Sequence, residues 1–206
     1  MSSDRASHWE TIYRTKADDQ VSWFQQTPEP SLTLLALAGA TTDMAVVDVG
    51  AGASHLVDTL IGQGYDDVTV LDISQAALDA DRARLGPDAD RITWICSDVT
   101  AWQPSRSYDI WHDRAAFHFL TDAADQGAYA AVLTRTLKAG GHAIIGTFAP
   151  DGPEKCSGLP IIRHDADSIG NLLGGSFTLI DTRRHEHMTP WGTVQRFQFS
   201  TFRKQH

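Results

Sequence analysis

The stretch Val46-Val-Asp-Val-Gly-Ala-Gly-Ala-Ser54 decides the fold. An apolar, β-branched run enters a glycine turn. Beyond the turn Leu56, Val57, Leu60 and Ile61 recur at helical spacing. Strand, tight turn and helix in this order are the first part of a βαβ unit. In open α/β sheets, ligands bind outside the carboxyl ends of the strands. Gly50 and Gly52 allow a tight turn and a close backbone approach to a ligand. A Gly-x-Gly pair also serves simple chain reversal, so its neighbours must say what it holds.

Those neighbours narrow the ligand. The dinucleotide fingerprint needs Gly or Ala at its sixth position for close helix–strand packing, and here that position is His55. Asp48, two residues before Gly50, opposes a pyrophosphate but suits a ligand bearing an ammonium and a sulfonium. The phosphate-loop pattern GxxxxGK[ST] is absent. The loop reads as a nucleoside site without a polyphosphate.

Working outward, the pattern stays regular. Val68 to Leu71 reads as a strand, and Ser74 caps a helix to Leu85. Ile92 to Ile95 and Tyr108 to Trp111 are strands. Asp122 caps a helix to Lys138, with Gly140 just past it, and His142 to Phe148 is the next strand. Alternation of this kind predicts a parallel sheet with helices on both faces. The end differs: Asp165 caps a short helix to Leu173, then Phe177 to Arg184 and Val194 to Phe202 read as an antiparallel hairpin. At the start, Trp9, Ile12 and Tyr13 have helical spacing, and Ser31 caps a second helix that Gly39 ends.

Two further acids fall at strand ends. Asp72 ends the second strand, 24 residues after Asp48, where a carboxylate can accept hydrogen bonds from both ribose hydroxyls. It could instead cap the next helix, but Ser74 does that. Asp98, in Ile95-Cys-Ser-Asp-Val99, ends the third strand and can accept from an adenine amino group. Alone it would be an ordinary loop residue; with Asp48 and Asp72 it makes three acids at one sheet edge.

The segments VVDVGAGAS, VLDIS and CSDVT resemble the first three motifs of class I S-adenosylmethionine (SAM)-dependent methyltransferases. YDIWHDR and LKAGGHAIIGTF resemble that family's fourth strand and its glycine turn into the fifth. The resemblance covers roughly residues 40–150. It implies a Rossmann-like α/β fold with a seven-stranded, mostly parallel sheet, an antiparallel last strand and helices on both faces. It implies SAM as cofactor and S-adenosylhomocysteine (SAH) as product. Asp48, Gly50 and Gly52 would flank the methionine part, with Ala51 and Ser54 in the same loop. Asp72, with Ile73 and Ser74, would take the ribose, and Asp98 with Val99 the adenine. The whole chain, 1–206, is expected to be one domain, with 1–40 a helical cap over the cofactor. The N-terminal Trp9, Tyr13, Trp23 and Phe24 resemble the entry of thiopurine-type methyltransferases and of lysine methyltransferases of citrate synthase and elongation factors. Trp23 is expected to cover the cofactor and the other three to pack.

On the acceptor side lies His112-Asp-Arg-Ala-Ala-Phe-His-Phe119. His112 and Asp113 are the candidate catalytic residues, with His112 also near the cofactor. Asp113 and Arg114 are expected to pair. His112 or His118 could take a proton, although His118 among Phe117, Phe119 and Leu120 equally suits a core. Methyl transfer is an in-line displacement from a good leaving group, so alignment and desolvation do most of the work. A base is needed only for a protonated acceptor. The loop 151–160 should overhang the acceptor, its Cys156 either touching a soft substrate or inert. His185 and His187 share one strand face, yet no third ligand is fixed, and no metal is expected.

Composition sets the outer limits. The formal net charge is −9 and no basic run exceeds Arg183-Arg184, which disfavours a nucleic-acid acceptor. Two cysteines 60 positions apart are neither a disulfide framework nor a metal pattern. Nothing resembles a signal peptide or spanning helix, so a cytoplasmic setting without membrane contact is expected. A small-molecule methyltransferase leads. A protein-lysine methyltransferase follows, then a non-catalytic SAM binder. An NAD oxidoreductase is disfavoured by His55, Asp48 and the lack of a Tyr-x-x-x-Lys pair.

Overall fold

The computed structural model describes residues 2–205. Its strands are β1 (Val46–Val49), β2 (Val68–Asp72), β3 (Ile92–Cys96), β4 (Tyr108–Arg114), β5 (Leu137–Phe148), β6 (Lys155–Cys156), β7 (Leu159–Pro160), β8 (Phe177–Met188) and β9 (Val194–Lys204). Its α-helices are α1 (Ser2–Thr15), α2 (Ser31–Leu37), α3 (Leu56–Gly62), α4 (Gln75–Leu85), α5 (Ala123–Thr136) and α6 (Ala166–Leu173). Seven strands make one sheet in the order β3-β2-β1-β4-β5-β9-β8. β1 to β5 are parallel, and β9 runs antiparallel between β5 and β8. β6 and β7 form a separate small hairpin. The chain leaves β1 toward β2 and β3, then returns to β4 on the other side of β1. The topological switch therefore lies between β1 and β4, where open α/β sheets bind ligands.

Successive strand side chains point to opposite faces, so each central strand feeds two cores. Val47, Val49, Trp111 and Ile145 pack with Tyr129 and Leu133 of α5 and Ile169 and Leu173 of α6. Val46, Val70, Ile110 and Ile144 pack with Leu34 of α2, Leu56 and Leu60 of α3, and Leu78 of α4. Burying a large apolar side chain such as these contributes about 1.5–3 kcal/mol. No helix of the described residues is long and apolar enough to cross a membrane.

Several boundaries differ from the sequence expectation. α3 begins at Leu56, although helical spacing allowed a start at Ser54; the Ser54 hydroxyl instead accepts the Leu56 N–H at 3.2 Å. Asp122 stands at the start of α5 but makes no side-chain cap. That helix stops at Thr136, not Lys138, because Leu137 already pairs with Tyr108 ahead of a register break. Lys138 reaches Asp109 instead, at 2.8 Å. Both hairpin strands run past their expected ends, the first to Met188 and the second to Lys204.

Candidate functional site

A cavity opens at the carboxyl ends of β1 to β4, beneath α1 and the segment that follows it. Its wall includes Asp48, Gly50, Ala51 and Ser54 from the β1 turn, Asp72 and Ile73 from β2, and Asp98 and Val99 after β3. Trp23 and His112 also face it. Gly50 and Gly52 have φ of 62° and 57°, the left-handed region that favours glycine. A Cβ on Gly50 would stand 2.3 Å from that of Ala116, and one on Gly52 2.1 Å from the Tyr13 hydroxyl. Gly52 itself is not on the cavity wall; its N–H donates to Asp72 Oδ2 at 2.8 Å. Ser74 is also off the wall. Its hydroxyl caps α4 by accepting the Ala77 N–H and donates to Glu10.

The three acids differ in how they are held. Asp48 is buried; its Oδ1 lies 2.7 Å from His112 Nδ1, while its Oδ2 is buried with no hydrogen-bond partner. Asp72 accepts Gly52 N–H and the Ser74 N–H, each at 2.8 Å. Burial nonetheless pushes its carboxyl up to about 6, with Asp48 adding to the rise. Asp98 Oδ1 accepts from the Thr100 N–H and hydroxyl, and its Oδ2 from Arg5 at 3.2 Å.

α1 forms the roof. Arg5, Trp9 and Tyr13 recur every four residues, so one helical stripe faces the cavity. Trp9 sits edge-on to Trp23 at 5.6 Å and to Phe119 at 5.0 Å between ring centroids. The Glu10 carboxylate accepts the Ala76 N–H at 3.0 Å in the first turn of α4, where the helix dipole favours an anion. Trp9 and Tyr13 therefore line the site as well as pack, which corrects their expected role. Phe24 packs edge-on to His55 and is not on the wall.

The β4 segment requires the clearest corrections. His112 and Arg114 face the cavity, and Asp113 between them points to the opposite side of the sheet. There Asp113 accepts from the Tyr129 hydroxyl and from the Ala116 and Phe117 N–H groups. It neither reaches the cavity nor pairs with Arg114, so it is structural rather than catalytic. Burial pushes its carboxyl up to about 6. Both nitrogens of His112 are engaged, Nδ1 with Asp48 and Nε2 with the Ser31 hydroxyl at 2.8 Å. His118 is fully buried, accepts the Phe148 N–H, and is pushed down to about 3 by burial. It is a core histidine.

Arg114 and Cys156, together with Phe148, Gln195 and Phe197, which the sequence did not single out, complete the far wall. Arg114 donates to the Trp23 carbonyl at 2.7 Å, with its guanidinium 5.8 Å from the Phe197 ring centre. Cys156 belongs to the β6–β7 hairpin, so the 151–160 loop does meet the cavity. Burial pushes its thiol up to about 12. His187 is tied to the Ser22 carbonyl at 2.7 Å. Among the described residues no group of three or more potential metal ligands is gathered.

Residues 46–141 match the family model for a methyltransferase domain. A trans-aconitate 2-methyltransferase of Rhizobium leguminosarum bv. trifolii (strain WSM2304) is 29% identical over 110 residues, covering 53% of this chain and 41% of that protein. The match thus spans less than half of that relative's length. Among solved structures, one describes the conversion of a disulfide bond into a thioacetal group during echinomycin biosynthesis. It superposes with a TM-score of 0.76 at 21% identity, covering 97% of this chain and 93% of the other. The Burkholderia thailandensis 1,6-didemethyltoxoflavin-N1-methyltransferase, with its substrate and SAH bound, gives 0.71 at 21% identity, covering 100% and 87%.

Proposed function

We propose, for a chain whose residues 46–141 match the family model for a methyltransferase domain and whose fold is shared with an SAH-bound methyltransferase, that it transfers a methyl group from SAM to the sulfur, nitrogen or oxygen of a small molecule. The observation that carries this reading is the unpartnered Asp48 Oδ2 beside Asp72 in one cavity at the switch point. A buried carboxylate oxygen without a partner is costly unless a ligand supplies one. The SAM ammonium is such a partner.

The chain's own residues fit the rest of the cofactor. Each Asp72 oxygen accepts one backbone N–H and keeps a lone pair for a ribose hydroxyl. Asp98, held by Arg5 and Thr100, lines the same cavity on the side where an adenine amino group would lie. Trp9 and Trp23 would exclude water from the face where transfer occurs. When bound, SAM supplies a methyl group on a sulfonium, a good leaving group. His112 has both nitrogens committed within the protein, so an acceptor must arrive as a nucleophile or lose its proton to water.

A small molecule is favoured over a protein lysine by Arg114, whose cation would oppose a lysine ammonium entering the same cavity. Titration calorimetry with SAH tests the cofactor assignment. Binding that Asp72→Ala weakens by at least about tenfold supports it, in line with a lost pair of buried hydrogen bonds to a charged group. Binding of NAD in preference to SAH would overturn it.

A further inference from the structure

Arg114 differs from the other charged groups around the cavity. Arg5 is committed to Asp98 and Asp125. Asp72 and Asp98 hold N–H, hydroxyl or guanidinium donors. Among the described residues, Arg114 has no carboxylate within ion-pair distance; Asp48 acts on it only through space, and its one hydrogen bond uses Nη2 toward the Trp23 carbonyl. Neighbouring Asp113, the obvious partner in sequence, is turned to the other face of β4 and saturated there. A guanidinium drawn in from water is expensive to leave unpaired. Its remaining edge is a flat fork of N–H donors whose geometry matches a carboxylate.

We propose that Arg114 is the recognition group for a carboxylate on the methyl acceptor, so that the enzyme selects acidic small molecules with an apolar body. The location favours the acceptor over the cofactor as the source of that carboxylate. The three acids assigned to SAM stand at the ends of β1, β2 and β3. Arg114 stands at the end of β4, on the side of β5 and β9, opposite Gly146 in register and over Phe197. Phe148 and Phe197 supply an apolar wall there, and Gln195 Oε1 is a buried acceptor without a partner on the same wall. The body of the acceptor would lie against the rings, its carboxylate on Arg114 and a donor group toward Gln195. The Trp23 carbonyl holds the guanidinium in place and ties the cofactor-covering segment to the acceptor subsite.

The inference rests on the methyltransferase reading, and the test separates the two. SAH is titrated first into wild type, Arg114→Met and Arg114→Lys. Benzoate, cinnamate and succinate, each beside its methyl ester, are then titrated into the SAH complexes. The expected result is SAH affinity within about threefold across all three proteins. At least one acid should bind wild type at least about tenfold more tightly than its ester, a preference erased in Arg114→Met and partly kept in Arg114→Lys, as for loss of one charge-assisted pair. The ester comparison on wild type needs no variant, so a misfolded substitution does not remove the test. Absence of SAH binding to wild type would overturn the methyltransferase reading and this inference with it. SAH bound normally, with no acid preferred over its ester or with the preference intact in Arg114→Met, would overturn this inference alone. A fall in SAH affinity in both Arg114→Met and Arg114→Lys, with no acid preferred over its ester on wild type, would assign the guanidinium to the cofactor and overturn it as well.

Discussion

Asp48 and His112 are register partners across β1 and β4, and the 2.7 Å bond between Asp48 Oδ1 and His112 Nδ1 fixes the carboxylate at the switch point. Ser31, at the start of α2, closes the chain of bonds from the other imidazole nitrogen. A general base for the acceptor needs a free nitrogen at the cavity, and His112 has none. His112→Gln should therefore weaken SAH binding by about tenfold, the scale of one buried bond to a charged group. At saturating SAM, kcat should keep its wild-type pH profile. Ser31→Ala should do the same to a smaller degree. Steady-state kinetics across pH checks this: a lost alkaline plateau in kcat with SAM affinity unchanged would return His112 to a proton-transfer role.

Asp72 gives the cofactor site its pH dependence. Its carboxyl is pushed up to about 6 in the free protein. Ribose hydroxyls donate to the ionised form and so lower that value on binding. Below it, binding must expel a proton, and affinity falls as pH falls. SAH dissociation constants should be flat above pH ~7 and rise through pH ~6 by at most about tenfold per unit. Calorimetry from pH ~5 to ~8 measures this, and Asp72→Asn should flatten the curve at a weaker affinity.

Asp113 belongs to stability rather than chemistry. It holds the Tyr129 hydroxyl and two N–H groups at the end of β4. Asp113→Ala should cost about 2–4 kcal/mol, the range for breaking a buried hydrogen-bonded carboxylate site. SAH affinity of the folded fraction should be unchanged. Urea titration followed by calorimetry at low temperature separates the two effects.

The two cysteines should react in a fixed order. Cys96 is exposed, and Cys156 is buried with its thiol pushed up to about 12. The thiolate is the nucleophile, so iodoacetamide at pH ~8 should label Cys96 first. SAH should slow labelling of Cys156 further, because that residue faces the cavity. Mass spectrometry of the modified peptides reads both.

The strand-and-turn grammar around Val46–Val49 was enough to place Asp48, Asp72 and Asp98 at one sheet edge, because each lies near the carboxyl end of an apolar strand or just past it. Asp113 was not separated from its neighbours because the sequence pattern ends the strand at Trp111, whereas β4 runs on to Arg114 and its period of two turns Asp113 to the other face. The roof was partly legible: Arg5, Trp9 and Tyr13 form an every-fourth-residue stripe, but only contact with the cavity distinguishes such a stripe from core packing. Of the far wall only the 151–160 loop with Cys156 was legible. Phe148, Cys156, Gln195 and Phe197 come from β5, β6 and β9 and meet only through the antiparallel return of β9 between β5 and β8. The end of α5 was misplaced because Lys138 and Gly140 fit a helix stop, whereas the pairing of Leu137 with Tyr108 prevailed.

The most direct test of the central claim is transfer from methyl-labelled SAM in a cell extract, separated into protein and small-molecule fractions. The account predicts label in the small-molecule fraction, in compounds that an anion exchanger retains before transfer. Label confined to one protein band and released as methyl-lysine on hydrolysis would contradict it.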